Sequence, residues 1–239
     1  MLDNTPIDKV LFLDIETVPV SPEFSTMPEI LQPLWEKKSS HFRKETETAS
    51  DVYQRAGIYA EFGKIICISL GIFYNKNNNR CLRLKSFYGD DERDLLLQFA
   101  AFLAKNNQYA LCAHNGKEFD FPYLSRRMLI NRIPLPAVLD VAGKKPWETN
   151  FIDTMDLWKF GDFKNFTSLD LLAAVFGIPS SKDDIDGSMV AHVYWKEKDL
   201  KRIVRYCEKD VTVIARVLLH YKLEPALAEE NIESSTPVN

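Results

Sequence analysis

Two apolar runs joined by an asparagine-rich turn constrain the fold of this chain most strongly. The runs are KIICISLGIFYN and RCLRLKSFYG, and the turn between them is NKNNN. Each run is short, and both are rich in the β-branched and aromatic residues that are typical of strands. Asparagine clusters between such runs favour turns. The pattern therefore predicts an antiparallel pair of strands.

Other strand and helix patterns surround this hairpin. KVLFLDIE precedes it as a short apolar strand, and YALCAHN follows it as another. Between the hairpin and YALCAHN lies DERDLLLQFAAFLAK, which has acidic residues in its first turn and apolar residues at helical spacing. Together these segments predict an α/β domain built around a mixed sheet with helices packed on it.

The remainder of the chain is more helical. FPYLSRRMLINR and DLLAAVFG read as helices, and a long final helix is predicted from about Lys196 to Tyr221. No internal repeat or linker divides the chain, so we expect a single domain over residues 1–225. The residues after Pro225 are polar, and we expect residues 226–239 to form a frayed tail.

A polar segment of the chain, about residues 21–60, separates the first strand from the hairpin. It contains two helical stretches, PEILQPLWEKK and ASDVYQRAGIYA. The segment therefore predicts a partly helical insertion after the first strand. Such an insertion would cap a site, restrict access to it or form a dimer surface, and the sequence does not choose among these roles.

Composition excludes several classes of protein. The chain has 239 residues, of which 46% are hydrophobic, and this is enough to form one full core. Its net charge of -4 argues against a generically basic nucleic-acid coat protein. The N-terminal sequence MLDNTPIDKV lacks the features of a signal peptide, and no apolar run approaches the roughly 20 residues of a membrane span. We therefore expect a cytoplasmic protein without membrane association.

The four cysteines lie singly inside apolar segments without CxxC spacing, which favours reduced core thiols over disulfides or a zinc cluster. The four histidines are scattered as well, so their spacing defines no catalytic pair. A lone histidine is more often structural than catalytic.

Two carboxylates end the first strand, in LFLDIETVPV. Asp14 and Glu16 are two residues apart, so their side chains project from the same face of a strand. One interpretation is that the strand has reached solvent at this point. The other is a divalent cation site, because a hard cation such as Mg²⁺ prefers oxygen ligands and cancels the repulsion of the carboxylates.

A third carboxylate occupies an unexpected place in the final helix. Asp210 has apolar neighbours at helical spacing, among them Cys207 and Val213, and Tyr206 lies one turn earlier on the same side. A buried charge costs several kcal/mol unless a cation or hydrogen-bond donors meet it. Alternatively, the pair is an ordinary half-buried tyrosine beside a carboxylate at the edge of the helix.

A fourth carboxylate, Asp120 in HNGKEFDFPYLSRR, follows a strand and precedes a helix. Taken alone, Asp120 fits a helix N-cap. Together, however, LDIET, HNGKEFDFP and YCEKD resemble the three exonuclease motifs of the DEDD superfamily, in the same order. A tyrosine four residues before the last aspartate resembles the pattern of the tyrosine-bearing subgroup. The histidine-bearing subgroup would have a histidine five residues before that aspartate, where this chain has Arg205.

Within that subgroup the chain resembles a group of stand-alone predicted 3'-5' exonucleases related to the proofreading domains of family-B DNA polymerases. The likeness extends to EFGKIICISLGIF, IDTMDLW, SLDLLAAVFGIP and DGSMV, and it covers about residues 9–221. It implies a ribonuclease-H-like fold with a five-stranded mixed sheet flanked by helices.

The resemblance also implies a chemistry. Asp14, Glu16, Asp120 and Asp210 would hold two Mg²⁺ or Mn²⁺ ions, which activate a water and stabilise the leaving 3'-oxygen. Tyr206 would orient that water, since a phenol with a reference pKa of about 10 is a poor base at neutral pH.

Substrate contacts are predicted for Asn115, Phe119, Lys117, Arg126 and Arg127. The resemblance implies that Asn115 contacts the terminal nucleotide and that Phe119 stacks on or wedges a base. Aromatic stacking suits a single strand better than an intact duplex. The alternatives are a turn role for the asparagine and core packing for the phenylalanine. The basic residues would line the path of the nucleic-acid backbone, or they are ordinary solvated charges.

The predicted function is a metal-dependent 3'-5' exonuclease that releases nucleoside 5'-monophosphates from single-stranded DNA ends, with a role in DNA repair. The partner would be a nucleic-acid 3' end, DNA in preference to RNA, and the sequence does not define a protein partner or an oligomeric state. Two alternatives remain, namely a 3'-5' exoribonuclease of the same superfamily and a catalytically inactive nucleic-acid-binding subunit. The inactive subunit is disfavoured because a retired site would be free to lose its acids, and none is lost here.

Overall fold

A mixed six-stranded sheet flanked by helices forms the framework of the protein. The computed structural model describes residues 5–162, 164–182 and 184–237. The strands of that part of the chain are β1 (Val10–Pro19), β2 (Gly63–Lys76), β3 (Asn79–Tyr88), β4 (Ala110–Ala113), β5 (Ile152–Asp153) and β6 (Ile232–Ser234). The helices are α1 (Gln32–Ser39), α2 (Glu92–Lys105), α3 (Asp120–Ile130), α4 (Thr154–Trp158), α5 (Leu169–Phe176), α6 (Val190–His192) and α7 (Leu200–Tyr221). No helix within these ranges has both the length and the apolar character needed to cross a bilayer.

The strand order across the sheet is β5-β4-β1-β2-β3-β6. Strand β1 is antiparallel to β2 and parallel to β4, so it occupies the middle of the sheet. Strands β2 and β3 form the predicted antiparallel hairpin, which is confirmed. Its turn places Asn77 and Asn78 in the left-handed region, at φ 50° and 62°. Asparagine tolerates that conformation better than most residues, so the turn explains the asparagine cluster.

The sixth strand corrects the expectation of a five-stranded sheet and a frayed tail. Residues Ile232–Ser234 pair in parallel with Leu82–Leu84 at the edge of the sheet. Beneath this strand, the buried carboxylate of Glu208 accepts hydrogen bonds from the hydroxyls of Ser234 (2.9 Å) and Thr236. Polar side chains of the tail are therefore used to anchor it, and its polarity does not indicate disorder.

The final helix begins later than its sequence pattern indicates. Lys198 adopts a left-handed conformation, with φ 60°, and separates a short π-helical turn at Val193–Glu197 from α7. The carboxylate of Asp199 then accepts a hydrogen bond from the backbone N–H of Arg202, at 3.0 Å, and caps the new helix. The N-cap explains why α7 starts at Leu200 rather than near Lys196.

Alternation along β1 divides the core into two layers. Leu11, Leu13 and Ile15 pack against α2 and α3 on one face of the sheet. Val10 and Phe12 belong to the opposite layer, which is closed by apolar residues of α7. This parity decides which helix any side chain of β1 meets.

The insertion has a small core of its own, centred on Trp35. The indole N–H of Trp35 donates to the carbonyl of Ala49 at 2.9 Å, and its ring contacts Tyr53 and Phe62. Helix α1 forms within the first predicted helical stretch, whereas the second stretch forms a 3-10 turn at Tyr53–Ile58.

Helix α3 ties the end of the insertion to the sheet. The hydroxyl of Tyr123 donates to the carbonyl of Gly57 at 2.7 Å. A side chain at Gly63 would place its Cβ only 2.3 Å from that hydroxyl, so the contact requires glycine there. The insertion is therefore fixed to α3, the helix that begins with Asp120.

Candidate active site

Strand β1 places two carboxylates on the sheet face that α7 covers. Asp14 and Glu16 share the parity of Phe12, and therefore they project toward α7 rather than toward α2. Glu16 is only 8% exposed. The register between β1 and β2 shifts directly after Glu16, before Thr17, and such bulges commonly re-aim side chains beside active sites.

Asp120 reaches the same strand from the first residue of α3. One oxygen of its carboxylate, Oδ1, accepts a hydrogen bond from the backbone N–H of Ile15 at 3.2 Å. The donor lies between Asp14 and Glu16 in sequence, 105 residues away from Asp120. The N-cap position of α3 belongs to Phe119, so Asp120 does not act as the helix cap. Its side chain serves the cluster instead.

Helix α7 supplies the remaining pair, Tyr206 and Asp210. Both are buried, at 8% and 9% exposure, although both have polar groups. Ser181, in the loop before α6, donates its hydroxyl to Oδ1 of Asp210 at 2.5 Å. The alternative of an ordinary carboxylate at the helix edge does not describe this geometry, because the charge faces inward.

Cys207 is a neighbour of this cluster that the sequence pattern assigns only to the apolar stripe. Its thiol lies 3.2 Å from Oδ2 of Asp14 and 3.4 Å from the backbone carbonyl of the same residue. Carboxylate oxygens of Asp14 and Glu16 and the sulfur of Cys207 all lie within 4.8 Å of one another. No sequence motif signals the thiol contact, since it depends on how α7 crosses β1.

Burial and mutual repulsion strongly perturb these acids. Burial raises the pKa of Asp14 well above its usual range, and the charges of Asp210 and Asp120 raise it further. The pKa of Glu16 is raised in the same way, first by burial and then by Asp14 and Asp210. The side chains thus lie near enough to oppose one another's ionisation.

The other two acids have partly compensating hydrogen bonds. Burial raises the pKa of Asp120 to about 7, although backbone N–H donors, including that of Ile15, favour its charged form. Burial also raises the pKa of Asp210, whereas the hydroxyls of Ser181 and Tyr206 lower it. A cluster of this kind favours protonation unless a cation compensates the charge.

Tyr206 stays neutral in this environment. Burial and the nearby charge of Asp210 raise its pKa beyond any physiological range. Its hydroxyl is therefore available to donate and accept hydrogen bonds, and not to act as a base near neutral pH.

Asp153, at the end of β5, organises the loop before Asp120. Its carboxylate accepts hydrogen bonds from the backbone N–H groups of Asn115 (2.9 Å) and Lys117 (3.0 Å). The same carboxylate caps α4 by accepting from the backbone N–H of Met155 at 3.0 Å. Strand-end acids are common, and spacing alone does not reveal that this one holds the loop in place.

Asn115 lies in that loop in a left-handed conformation, with φ 63°. Its side-chain oxygen is buried and has no hydrogen-bond partner among the described residues. The preceding residue, His114, is fixed by contacts of 2.9 Å to Thr154 and to the carbonyl of Thr167. The histidine therefore has a structural role, whereas the amide of Asn115 has an unused acceptor.

The other residues predicted to bind substrate have different surroundings. Phe119 is half-buried and packs against Tyr123, with ring centroids 5.3 Å apart. The ammonium of Lys117 lies 2.9 Å from the carboxylate of Asp156. Arg126 is exposed on the surface of α3.

Arg127 requires a correction, because its guanidinium points into the protein and away from solvent. Its Nε donates to the carboxylate of Glu92 at 2.8 Å, and Nη1 donates to the carbonyl of Ala60 at 2.8 Å. Nη2 forms an ion pair with the same carboxylate, and the residue is 7% exposed. The prediction of a backbone phosphate contact at this position is therefore wrong, since the donors are engaged inside the fold.

Comparison with known proteins gives the family. A family model described as "Predicted 3'-5' exonuclease related to the exonuclease domain of PolB" matches residues 58–235, which is more than half of the chain. The chain belongs to this family. The resemblance to stand-alone predicted exonucleases related to the polymerase-B proofreading domain is therefore confirmed at the level of the family. The matched range contains Asp120, Tyr206 and Asp210, whereas Asp14 and Glu16 precede it.

A solved structure supports the fold. The family B DNA polymerase from the hyperthermophilic archaeon Pyrobaculum calidifontis superimposes with a TM-score of 0.54 at 18% sequence identity. The match covers 92% of this chain and 25% of the polymerase chain. This likeness confirms the ribonuclease-H-like fold, and the chain spans about a quarter of the polymerase's length. Among curated proteins, none matches the chain.

Proposed function

We propose that the protein is a metal-dependent 3'-5' exonuclease that removes nucleoside 5'-monophosphates from the 3' end of single-stranded DNA. What supports the proposal is the proximity of four carboxylates from three distant segments of the chain, all of them buried except the half-buried Asp14. The contact between Asp120 and the backbone of Ile15 joins two of these segments, and the charge of Asp210 acts on Asp14 from the third.

The donor set fits Mg²⁺ or Mn²⁺. Carboxylate oxygens from Asp14, Glu16, Asp120 and Asp210 are the ligands that these hard cations prefer. Within the described part of the chain, Lys182 is the basic residue whose charge most lowers the pKa of one of these acids, Asp210. Its ammonium lies 3.8 Å from Asp170, outside the cluster. Bound divalent ions would offset the mutual repulsion of the acids, supply a water of lowered pKa and stabilise charge on the phosphate oxygens.

Tyr206 contributes orientation to the proposed reaction. The neutral hydroxyl donates its one proton to Asp210, so its oxygen would accept a hydrogen bond from the attacking water, and burial keeps it protonated. In the reaction a P–O bond forms from that water and the bond from phosphorus to the 3'-oxygen breaks. The shortened strand takes up a proton at its new 3'-hydroxyl, and a 5'-monophosphate leaves.

Binding of the terminal nucleotide is proposed for the loop that Asp153 holds. The unpaired side-chain oxygen of Asn115 would accept a hydrogen bond from the substrate, and the ring of Phe119 would stack on a base. Lys117 and Arg126 would bind phosphates of the nucleic-acid backbone. Each such contact adds a salt-dependent contribution to the binding free energy. Arg127 has no part in this path.

The decisive experiment is digestion of single-stranded DNA and RNA oligonucleotides with defined 3' ends, in the presence of Mn²⁺, Mg²⁺ or EDTA. We expect stepwise shortening of single-stranded DNA with either metal, none in EDTA, and slower cutting of RNA. Faster cutting of RNA would assign the protein to the exoribonucleases. Product analysis should find 5'-monophosphates.

Variants separate this site from a contaminating nuclease. Asp14→Asn and Asp210→Asn should abolish cutting, whereas Asp94→Asn, an exposed acid of α2, should cut like the wild type. Activity that survives EDTA or Asp14→Asn would falsify the proposed mechanism. A wild-type protein that binds DNA but cuts neither nucleic acid would instead support an inactive binding subunit.

A further inference from the structure

A serine outside the three exonuclease motifs contacts the acid that α7 contributes to the site. The hydroxyl of Ser181 donates to Oδ1 of Asp210 across 2.5 Å, and Ser181 is itself only 4% exposed. The distance is that of a hydrogen bond between a hydroxyl and a carboxylate, which is among the strong classes of hydrogen bond in proteins. A buried partner of this kind restricts the rotation of the Asp210 carboxylate.

The loop that carries Ser181 is anchored on both sides. Before it, Gly177 ends α5 in a left-handed conformation, and the backbone N–H of Ile178 closes the helix onto the carbonyl of Ala173 at 2.8 Å. After it, Ile185 is 3% exposed and packs in the same apolar cluster as Tyr206. These contacts hold the described part of the loop against α7.

A salt bridge strengthens the second anchor. The guanidinium of Arg202 donates two hydrogen bonds to the carboxylate of Asp184, at 2.7 and 2.8 Å. Arg202 belongs to the first turn of α7, two turns before Asp210. The position of Ser181 is therefore set by the same helix that it serves.

We infer that Ser181 is a positioning residue for the divalent cation, acting through Asp210. The inference rests on the proposed function, since it assigns a role toward the metal that the four acids would bind. Partners that hydrogen-bond to a metal-binding carboxylate fix its orientation, and their loss typically costs about 10- to 100-fold in metal affinity. A hydroxyl suits this task because it orients the carboxylate without adding a positive charge that would repel the ion.

The adjacent residue provides a matched control. The hydroxyl of Ser180 donates to Oδ1 of Asp170 at 2.6 Å, which is the same chemistry on a half-buried acid outside the cluster. Ser180 and Ser181 are neighbours in one loop, and only the second reaches the carboxylate cluster. Ser180→Ala therefore removes a hydroxyl–carboxylate hydrogen bond, together with the bond that Ser180 accepts from the backbone N–H of Lys182 at 3.1 Å, and leaves the Ser181–Asp210 contact in place.

The test measures Mn²⁺ binding to the full-length protein, without substrate, by titration calorimetry and by the paramagnetic resonance signal of free Mn²⁺. We expect Ser181→Ala to weaken Mn²⁺ binding by about 10-fold or more. Ser181→Thr retains the hydroxyl and should bind within about threefold of the wild type, and Ser180→Ala should match the wild type. Thermal melts of the metal-free proteins verify that each variant is folded.

The possible failures of the two proposals differ. If wild type and Ser181→Ala bind Mn²⁺ equally well, the positioning role is overturned and the proposed exonuclease site stands. If Ser181→Thr is as defective as Ser181→Ala, the hydroxyl is not the cause and the inference fails too. If the wild-type protein binds no Mn²⁺ at all, the metal-dependent function itself is wrong.

Discussion

The carboxylate of Asp120 accepts a hydrogen bond at 3.2 Å from the backbone N–H of Ile15, between the two acids of β1. This bond joins the start of α3 to the middle strand of the sheet. It also favours the charged form of an acid that burial would otherwise keep protonated. The balance gives the metal-free protein a defined response to pH.

The first prediction concerns the stability of the metal-free protein between pH 5 and pH 8. The pKa of Asp120 is raised from 3.8 to about 7 in the folded protein, chiefly by burial. An acid whose pKa is raised on folding contributes its full stabilisation when the pH is below its pKa in the unfolded chain. That contribution is lost as the pH rises through the folded-state pKa of about 7. In EDTA, the melting temperature should therefore fall by several degrees from pH 5 to pH 8, at about 2–4 °C for each kcal/mol.

Asp120→Asn cannot ionise at this position, so its melting temperature should fall less over the same range. Adding Mg²⁺ should raise the wild-type melting temperature more at pH 8 than at pH 5, because the ion binds the charged acids. Asp94→Asn serves as the exposed control. Parallel pH profiles for the wild type and Asp120→Asn would contradict the assignment.

Tyr206→Phe tests the orienting role of the phenol. The ring lies among apolar residues of β2 and α7, so phenylalanine should pack there with a change in unfolding free energy of about 1 kcal/mol or less. Loss of the hydroxyl should lower kcat by about 100-fold and leave KM nearly unchanged, as expected for a group that acts in the transition state. Steady-state kinetics on a single-stranded oligonucleotide measure both constants. A variant with wild-type kcat would show that the hydroxyl is dispensable.

Local periodicity predicts the positions of three proposed acids, Asp14, Glu16 and Asp210, whereas the prediction for Asp120 rests on the resemblance to the exonuclease motifs. The two-residue spacing of Asp14 and Glu16 along β1 places them on one face, whichever way the sheet is assembled. Asp210 is similarly defined by its apolar neighbours on α7. These positions need only a strand and a helix, and both elements are strongly patterned.

Contacts between distant segments were beyond such patterns. Ser181 lies in a loop without periodicity, so nothing local indicates that it touches Asp210. Arg127 forms an ion pair with Glu92, which is 35 residues earlier in the sequence. The adjacent residue, Arg126, is also an arginine, but it is exposed. A basic dipeptide predicts a charged helix face, and only the packing of α3 on α2 decides which of the two is buried.

That difference between the two arginines makes the third prediction. Arg127→Ala leaves the carboxylate of Glu92 buried without its cation, and loss of one partner of a buried pair typically costs about 3–5 kcal/mol. Arg126→Ala, on the exposed side of α3, should change the unfolding free energy by about 0.5 kcal/mol or less. Urea unfolding of both variants measures the contrast. Equal stability of the two variants would show that the Glu92 pair is not needed for folding.

The last prediction concerns the C-terminal strand. The carboxylate of Glu208 accepts hydrogen bonds from Ser86 at 2.9 Å and from the tail hydroxyls of Ser234 and Thr236. A chain that ends at Ala228 would lose β6, leave β3 as an open edge and remove two of the donors around this buried acid. We expect a loss of about 1–3 kcal/mol in unfolding free energy from the weakened hydrogen bonding of Glu208, together with greater self-association through the open edge.

Ser234→Ala and Thr236→Ala, combined in the full-length chain, separate the two effects. This double variant keeps the backbone pairing of β6 with β3 but removes the hydroxyl donors, so it should be less stable while keeping the association state of the full-length protein. Chemical unfolding and sedimentation measure stability and association in parallel. If the truncated chain matches the full-length protein in both stability and association state, β6 contributes nothing to the sheet. If truncation lowers stability but the double variant is as stable as the wild type, backbone pairing alone holds the tail. The unpaired backbone groups at the edge of β3 need a partner strand whether or not Glu208 has its hydroxyl donors.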